Sequence, residues 1–194
     1  MSLPVLLESV AACAVCTDLP LGPRPVVSVG ARARMVVVGQ APGTKVHASG
    51  IPWDDDSGDR LRSWLDVDKA TFYDPDRIAL IPMGFCYPGR KGQGDAPPRP
   101  ECAPLWHARL FAELPELELI ILAGMYAQKH YLGSTRGKTL TATVQNWRGH
   151  GPRFFPTPHP AWRARLFARK HAWFEAELIP DLRARVRHAL RATG

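Results

Sequence analysis

Residues 35–43 are Met35-Val36-Val37-Val38-Gly39-Gln40-Ala41-Pro42-Gly43, a short apolar run that leads directly into a turn of glycine and proline. Such a run is typical of a strand buried on both faces of a parallel sheet. In open α/β sheets, ligands bind in the crevice beyond the carboxyl ends of the strands. Residues 39–43 are therefore a candidate wall of a functional site, the alternative being an ordinary strand-to-loop turn.

Three later apolar runs predict further strands, and segments with helical periodicity lie between them. The predicted strands cover residues 78–83, 117–122 and 153–155, and the main predicted helices cover residues 3–15, 58–65, 103–114, 125–132 and 171–191. We expect Ser57 to cap the helix at 58–65, Pro180 to bend the last helix, and residues 87–100 to form a loop without regular structure. Strands that alternate with helices predict a parallel sheet covered on both faces.

Length and charge limit the class of protein. The chain has 194 residues, which predicts one domain over residues 1–194 that buries roughly 70% of the surface of the unfolded chain. It carries 25 basic and 18 acidic residues, for a net charge of +7, and this balance favours a polyanionic partner such as nucleic acid. The basic excess is concentrated from residue 148 onwards, although solvated helix faces produce the same pattern.

The sequence shows no feature of a membrane or secreted protein. No segment approaches the roughly twenty consecutive apolar residues of a membrane span. The N-terminal segment lacks the basic region and the cleavage site of a secretory signal. We therefore expect a cytoplasmic protein without a membrane partner.

Four cysteines are the candidate metal ligands. Cys13 and Cys16 form a C-x-x-C pair, and Cys86 and Cys102 lie at the two ends of the long loop. In a reducing compartment, two converging pairs indicate a four-thiolate site for zinc or for an iron–sulfur cluster. The spacing does not choose between these two, and four unrelated buried thiols are the alternative.

Three loops are expected to meet at the carboxyl edge of the sheet. They cover residues 39–43, 83–86 and 158–160. The last holds His159 between two prolines, which restrict its backbone and suit a hydrogen-bond donor aimed at a fixed point. A plain loop histidine is the alternative interpretation.

Taken together, these motifs resemble those of the uracil-DNA glycosylase superfamily, and specifically its iron–sulfur-containing bacterial and archaeal branches. The resemblance covers nearly the whole chain and retains all four cysteines in order and spacing. It rests on Cys13-x-x-Cys16, Leu19-Pro20-Leu21-Gly22-Pro23-Arg24-Pro25, Val38-Gly39-Gln40-Ala41-Pro42-Gly43, Cys86-x15-Cys102 and His159-Pro160.

The resemblance implies a three-layer α/β/α domain with a central four-stranded parallel sheet. It also implies a [4Fe-4S] cluster held by the four cysteines, zinc being the less favoured metal. The implied reaction is hydrolysis of an N-glycosidic bond in DNA, which releases a damaged base and requires no metal.

The same resemblance assigns roles in a pocket that receives a flipped-out base. Trp53 matches the aromatic residue that stacks on the base, unless it is a core tryptophan. His159 matches the histidine that donates a hydrogen bond to the base oxygen in the transition state. The expected base-binding residues are Gly39, Gln40, Ala41, Gly43, Trp53 and Met83.

Two positions depart from the better-known branches. Gln40 and Ala41 leave the first motif without a carboxylate, and Asp55 in Asp54-Asp55-Asp56-Ser57-Gly58-Asp59 matches the catalytic aspartate of another iron–sulfur branch. The alternative for these acids is a helix N-terminus that favours negative charge. Pro82, with Met83 beside it, stands where the uracil enzymes have an asparagine that reads the base. We therefore expect a broader pocket, which accepts uracil and also hypoxanthine or xanthine.

The DNA-binding residues are expected after the His-Pro motif. In the family this segment enters the minor groove, so Trp162, Arg163 and Arg165 are candidates for the wedge and for phosphate contacts, unless Trp162 is packed inside.

The sequence thus predicts a monomeric DNA glycosylase of base-excision repair, whose partner is DNA that contains a damaged base. One alternative is a superfamily member that binds damaged or structured DNA without cleaving it. The other is a zinc-stabilised hydrolase or nucleotide-binding domain, although the chain has neither a P-loop nor a Gly-x-Gly-x-x-Gly pattern.

Overall fold

The computed structural model describes residues 2–191 and has a four-stranded parallel sheet at its centre. The sheet strands are β1 (Met35–Val38), β2 (Ile78–Leu80), β5 (Leu119–Ala123) and β6 (Phe154–Thr157), in the order β2-β1-β5-β6. Two short strands, β3 (Arg90–Lys91) and β4 (Gly94–Asp95), form a separate antiparallel hairpin. The predicted α/β class and the four-stranded parallel sheet are confirmed.

Helices cover both faces of the sheet. They are α1 (Leu3–Ala11), α2 (Thr44–Ser49), α3 (Asp56–Leu65), α4 (Lys69–Tyr73), α5 (Ala108–Ala112), α6 (Met125–Leu132), α7 (Leu140–Gln145), α8 (Ala164–Lys170) and α9 (Ile179–Ala189). Wider π-helical turns precede α5 at Ala103–His107 and α9 at Phe174–Leu178, and 3₁₀ turns cover Gly133–Thr135 and Trp147–His150. Within residues 2–191, no helix is long and apolar enough to cross a membrane.

The alternation of side chains along β1 explains the three layers. All four residues of β1 are fully buried, and they contribute in turn to two separate apolar clusters. Val36 and Val38 pack with α1, α5 and α6, whereas Met35 and Val37 pack with α3, α4 and α9. A continuous apolar run is therefore needed, because a polar residue at any of these positions would face one of the two cores.

Several predicted elements differ from the observed ones. The first helix ends at Ala11, so Cys13 and Cys16 lie in the loop beyond it. Asp55 rather than Ser57 is the N-cap of α3, and its Oδ1 accepts a hydrogen bond from the Gly58 amide at 2.9 Å. Aspartate and serine are equally good caps, so the sequence alone did not distinguish the two positions.

The other differences concern short elements. Residues 87–100, predicted to lack regular structure, contain the β3–β4 hairpin. The helices α2, α4, α7 and α8 were not predicted, since each has only five to seven residues. Pro180 lies in the first turn of α9, where the missing N–H would have no partner within the helix.

Candidate functional site

A cavity of about 360 Å³ lies at the carboxyl edge of the sheet. The loop that follows β1 forms one wall, and residues after β2 and β6 complete it, as expected for a parallel sheet. The lining includes most residues singled out in the sequence, namely Gly39, Gln40, Ala41, Gly43, Trp53, Asp55, His159, Trp162 and Arg163, together with Pro82 and Asp95.

The loop after β1 is held against the chain that follows β2. The Met83 amide donates to the Gly39 carbonyl oxygen at 3.0 Å, and the Gly84 amide donates to the Gln40 carbonyl oxygen at 2.9 Å. Gly43 then serves as the N-cap of the short helix α2. The first wall of the cavity is thus fixed by main-chain hydrogen bonds rather than by its own side chains.

Trp53 is held in one orientation by close packing. Its backbone has φ of 60°, an uncommon conformation for a bulky residue, and its carbonyl oxygen accepts a hydrogen bond from the Tyr73 hydroxyl at 3.1 Å. The indole lies against Gly39, where an added Cβ would come within 2.5 Å of Cζ2. At Gly58, an added Cβ would come within 1.8 Å of the Trp53 carbonyl oxygen. Both glycines are therefore required by the position of Trp53.

A buried cation on helix α3, Arg62, supports the position of Trp53 through Tyr73. The Arg62 guanidinium is 7% exposed and donates to the Tyr73 hydroxyl oxygen at 3.1 Å. It also forms an ion pair with Asp59 on the same helix. Because Tyr73 in turn donates to Trp53, one chain of hydrogen bonds connects helix α3 to the aromatic residue of the cavity.

His159 stacks on Trp53. The ring centroids are 5.5 Å apart and the planes are inclined by 26°, an offset and nearly parallel arrangement. Gly124 leaves room for the histidine, because an added Cβ there would lie 3.1 Å from the His159 Cβ. Next to it, the Arg60 guanidinium donates to the Pro160 carbonyl oxygen at 2.5 Å. The histidine is therefore fixed at both its ring and its backbone.

His159 is a neutral imidazole at physiological pH. Burial lowers its pKa from the ordinary value of 6.5 to about 4, and the nearby Asp55 carboxylate only partly opposes this shift. A neutral imidazole carries one N–H donor, which it can offer to a ligand in the cavity without introducing a full charge.

Asp55 lies close to His159 and combines two roles. Its Oδ1 caps α3, so Asp55 does lie at a helix N-terminus, as the alternative interpretation of these acids proposed. Its side chain also lines the cavity, unlike its neighbour Asp56, which pairs with Lys45 at 3.0 Å on the surface. Among the three consecutive aspartates, Asp55 is the one placed to act on a bound ligand.

Met83 is placed differently from the prediction. Its side chain is 8% exposed and packs in the core cluster with Ile81, whereas Pro82 lines the cavity. Successive side chains of an extended segment point to opposite faces, so residues 81 and 83 share the core face and residue 82 faces the cavity. Pro82, rather than the predicted Met83, is therefore the residue of this segment that lines the cavity.

The predicted DNA-binding residues lie at the rim. Trp162 is 62% exposed, so it is not packed inside, and the Arg163 guanidinium lies over its ring at 4.7 Å from the centroid. Both residues line the cavity. Arg165 is exposed on α8 and does not line it.

The structure reveals supporting residues that sequence patterns did not. Gln128 is 2% exposed and donates to the carbonyl oxygens of Thr157, at 2.8 Å, and Leu122, at 3.2 Å. It thereby ties together the carboxyl ends of β5 and β6 just before His159. A polar residue on the buried face of the predicted helix 125–132 was the only signal of this role in the sequence.

The four cysteines are close enough to affect one another electrostatically. None forms a disulfide, and Cys86 and Cys102 are buried. Burial, with smaller contributions from the other three thiols, raises the pKa of Cys102 to about 11. In the part of the chain that the structure describes, no group of three or more His, Cys, Asp or Glu residues could hold a metal ion.

The fold and the cavity define a class: a parallel α/β protein with a pocket whose aromatic ring and neutral imidazole suit a planar heterocycle such as a nucleobase. Comparison with known families makes this specific. Residues 27–183 match the family model of the uracil DNA glycosylase superfamily, and the chain belongs to this superfamily. Its members are DNA glycosylases, so membership indicates glycosylase activity on DNA in general.

Proposed function

We propose that the protein is a DNA glycosylase that hydrolyses the N-glycosidic bond of a deaminated base, namely uracil, hypoxanthine or xanthine, in base-excision repair. The observation that carries this proposal is the offset stack of His159 on Trp53 inside the cavity. The protein acts on DNA as a monomer in the cytoplasm.

The stack supports a specific position for the base. Because the two rings are nearly parallel but offset, part of the Trp53 face extends beyond the imidazole. A flipped base that stacks on this part lies beside His159 in nearly the same plane. The N–H of the imidazole then points at the edge of the base, where a carbonyl oxygen accepts its hydrogen bond.

The electrostatics fit cleavage of a glycosidic bond. As the bond breaks, negative charge develops on the base and positive charge on the sugar. His159, neutral because of its lowered pKa, stabilises the departing base through a hydrogen bond. Asp55 lies on the same side of the cavity, where its carboxylate stabilises the positive sugar. Its second oxygen orients the attacking water, while the first remains bonded to the Gly58 amide.

The range of bases that the pocket accepts is broad because Pro82 forms part of its wall. Proline has no side-chain hydrogen-bonding group, so it reads shape but not the Watson–Crick edge of the base. Gly43 also contributes no side chain to the lining. A pocket with these two residues admits purines as well as pyrimidines.

DNA is held by the basic rim. Trp162 enters the minor groove beside the flipped base, and Arg163 and Arg165 contact phosphates. Charge reversal at both arginines is expected to weaken binding and to reduce the slope of log K against log salt concentration by about 1 to 2. An unchanged salt slope would exclude these contacts.

The cysteines suit an iron–sulfur cluster. The donor types fit, since four thiols without disulfides lie close enough for their charges to contribute to the raised pKa values of Cys16, Cys86 and Cys102, and metal cations would compensate the charges of the thiolates. Cys13, Cys16, Cys86 and Cys102 would hold a [4Fe-4S] cluster that pins the long loop to the N-terminal segment. Broad visible absorbance and about four irons per chain are expected, and zinc in place of iron would refute this assignment.

The function is tested with oligonucleotides that carry uracil, hypoxanthine or xanthine, single-stranded and opposite each partner base. We expect abasic-site formation under single-turnover conditions, and a loss of about 100-fold or more for His159→Ala and Asp55→Asn. Asp56→Asn is the matched control, because it makes the same charge change outside the cavity. Cleavage of uracil alone would contradict the broad pocket.

A second candidate function rests on residues 39–43, which carry no carboxylate. In this case the protein recognises damaged DNA and does not cleave it. Tight binding to the lesion oligonucleotides without cleavage in the same assay would establish this alternative.

A further inference from the structure

The β3–β4 hairpin brings a second carboxylate to the cavity. Gln93, Gly94 and Asp95 belong to its lining, although they lie far along the chain from residues 39–43. The hairpin is attached to the first wall, because the Gln40 side-chain amide donates to the Ala96 carbonyl oxygen at 3.4 Å. The hairpin therefore forms a further side of the cavity, next to the loop after β1.

The Asp95 carboxylate lies beside Gly43, which has no side chain. A Cβ built on Gly43 would lie 3.4 Å from the Asp95 Oδ2, which is ordinary van der Waals contact. The carboxylate thus borders the space that a larger residue at this position would fill. Within residues 2–191, no group donates a hydrogen bond to this carboxylate, so its oxygens are available to a ligand.

Two charged groups act on Asp95. Arg90, its partner across the hairpin, lowers the pKa of the carboxyl, and Asp55 at the start of α3 raises it. Although Asp95 is an exposed residue at the rim, partial desolvation of its carboxyl group is the largest effect, and the net result is a raised pKa. The protonated form of Asp95 is therefore more accessible than that of an ordinary aspartate.

Asp55 lies between the other two titratable groups of the cavity. Its charge shifts the pKa of both His159 and Asp95. Asp95 borders Gly43 at the start of α2, whereas His159 borders Gly124 at the end of β5 and stacks on Trp53, so the two side chains lie against different walls of the cavity. A base that accepts a hydrogen bond from His159 presents its far edge toward the hairpin.

From this geometry we infer that Asp95 reads the edge of the flipped base that faces away from His159. It selects bases in which a ring N–H adjoins a carbonyl group, the lactam edge that deamination creates. This inference rests on the proposed glycosylase function and adds the residue that reads the base. It assigns to the hairpin the contact that Pro82 cannot make.

The Asp95 carboxyl group and the lactam edge of a base are complementary when the carboxyl group is protonated. A protonated carboxyl offers one donor and one acceptor, which match the carbonyl oxygen and the N–H of a lactam edge. The ionised form has only acceptors, so one of its oxygens would face the carbonyl oxygen of the base. An asparagine side chain offers a donor and an acceptor at every pH.

The test compares wild type with Asp95→Asn and Asp95→Ala on uracil and hypoxanthine oligonucleotides from pH 5 to 8. For wild type, excision is expected to fall by up to about tenfold per pH unit as Asp95 ionises. Asp95→Asn removes this fall and is at least about tenfold faster than wild type at pH 8, whereas Asp95→Ala is slow throughout. The ratio of variant to wild type at each pH cancels the titration of other groups.

Asp66→Asn is the matched control, because Asp66 is exposed at the end of α3 and does not line the cavity. Thermal unfolding of each variant shows that the fold is retained. If wild type is active and Asp95→Asn has the same pH profile, the role of Asp95 is refuted and the glycosylase function stands. If wild type cleaves no lesion at any pH, the proposed function fails, and the role of Asp95 fails with it.

Discussion

The buried His107 makes the stability of the protein depend on pH. It lies in the π-helical turn before α5, is 2% exposed, and has its Nε2 3.0 Å from the Pro82 carbonyl oxygen and its Nδ1 2.5 Å from the Tyr131 hydroxyl. Since a carbonyl oxygen only accepts, Nε2 carries the proton, and Nδ1 accepts from the tyrosine. Protonation of Nδ1 would remove the acceptor of the tyrosine proton and place a positive charge in a buried site.

The sign and size of the effect follow from the pKa. Burial lowers the pKa of His107 from 6.5 to about 4, so the unfolded chain binds this proton more readily than the folded one. Stability from His107 is therefore complete above pH 6.5 and is lost as the pH falls toward 4. At about 1.4 kcal/mol per pH unit, the loss between pH 7.5 and 4.5 is about 2.5 kcal/mol.

The assay is urea unfolding of wild type and His107→Gln at pH 7.5, 6.5, 5.5 and 4.5. Glutamine does not titrate, and its amide can donate to Pro82 and accept from Tyr131, so it is the closest non-ionising replacement. His159 and His150 also have lowered pKa values and contribute in both proteins. The difference between the two pH dependences isolates His107. Equal losses of stability in both proteins would refute the argument, as would an NMR titration of His107 near pH 6.5.

Three further predictions concern the packing around Trp53. Gly39→Ala should push the indole aside by about an ångström and lower single-turnover excision by about 10- to 100-fold, with a small change in melting temperature; retention of full activity would contradict the proposed stacking role. Gly58→Ala should destabilise the fold by about 3 kcal/mol in urea unfolding, because the overlap with the Trp53 carbonyl oxygen outweighs the gain of about 1 kcal/mol in helix propensity. Stabilisation would show that this backbone is free to move. Tyr73→Phe should cost about 1 kcal/mol in the same measurement, and no loss would show that water replaces the hydroxyl.

The sheet was predictable because its signal is local and strong. The four consecutive apolar residues at 35–38 contribute side chains to both cores. A short, continuous apolar run of this kind is typical of a strand that is buried on both faces of a sheet. The carboxyl-edge loops then had to lie together, whatever the details of the helices. The positions of Gly39 and His159 at one cavity follow from this topology alone.

The remaining features depend on contacts between distant segments. Helix α3 begins with Asp55 as its cap where Gly58 lies against the Trp53 backbone, a contact between segments that propensities do not contain. The placement of Pro82 rather than Met83 depends on which face of the chain beyond β2 meets the core. Asp95 was missed because two-residue strands leave no periodic pattern, and its position depends on the attachment of the hairpin to Gln40.

The close fit of Trp53 between Gly39 and Gly58 also constrains how this pocket can diverge. A side chain at position 39 is excluded while the indole remains, and one at position 58 is excluded by the carbonyl oxygen of residue 53, whatever side chain that residue carries. Replacement of Trp53 by a smaller residue must therefore precede any change at position 39, and once a side chain occupies position 39 the indole cannot return. Homologous sequences should therefore show tryptophan at 53 only in combination with glycine at both other positions, and this co-occurrence identifies pockets of the same shape.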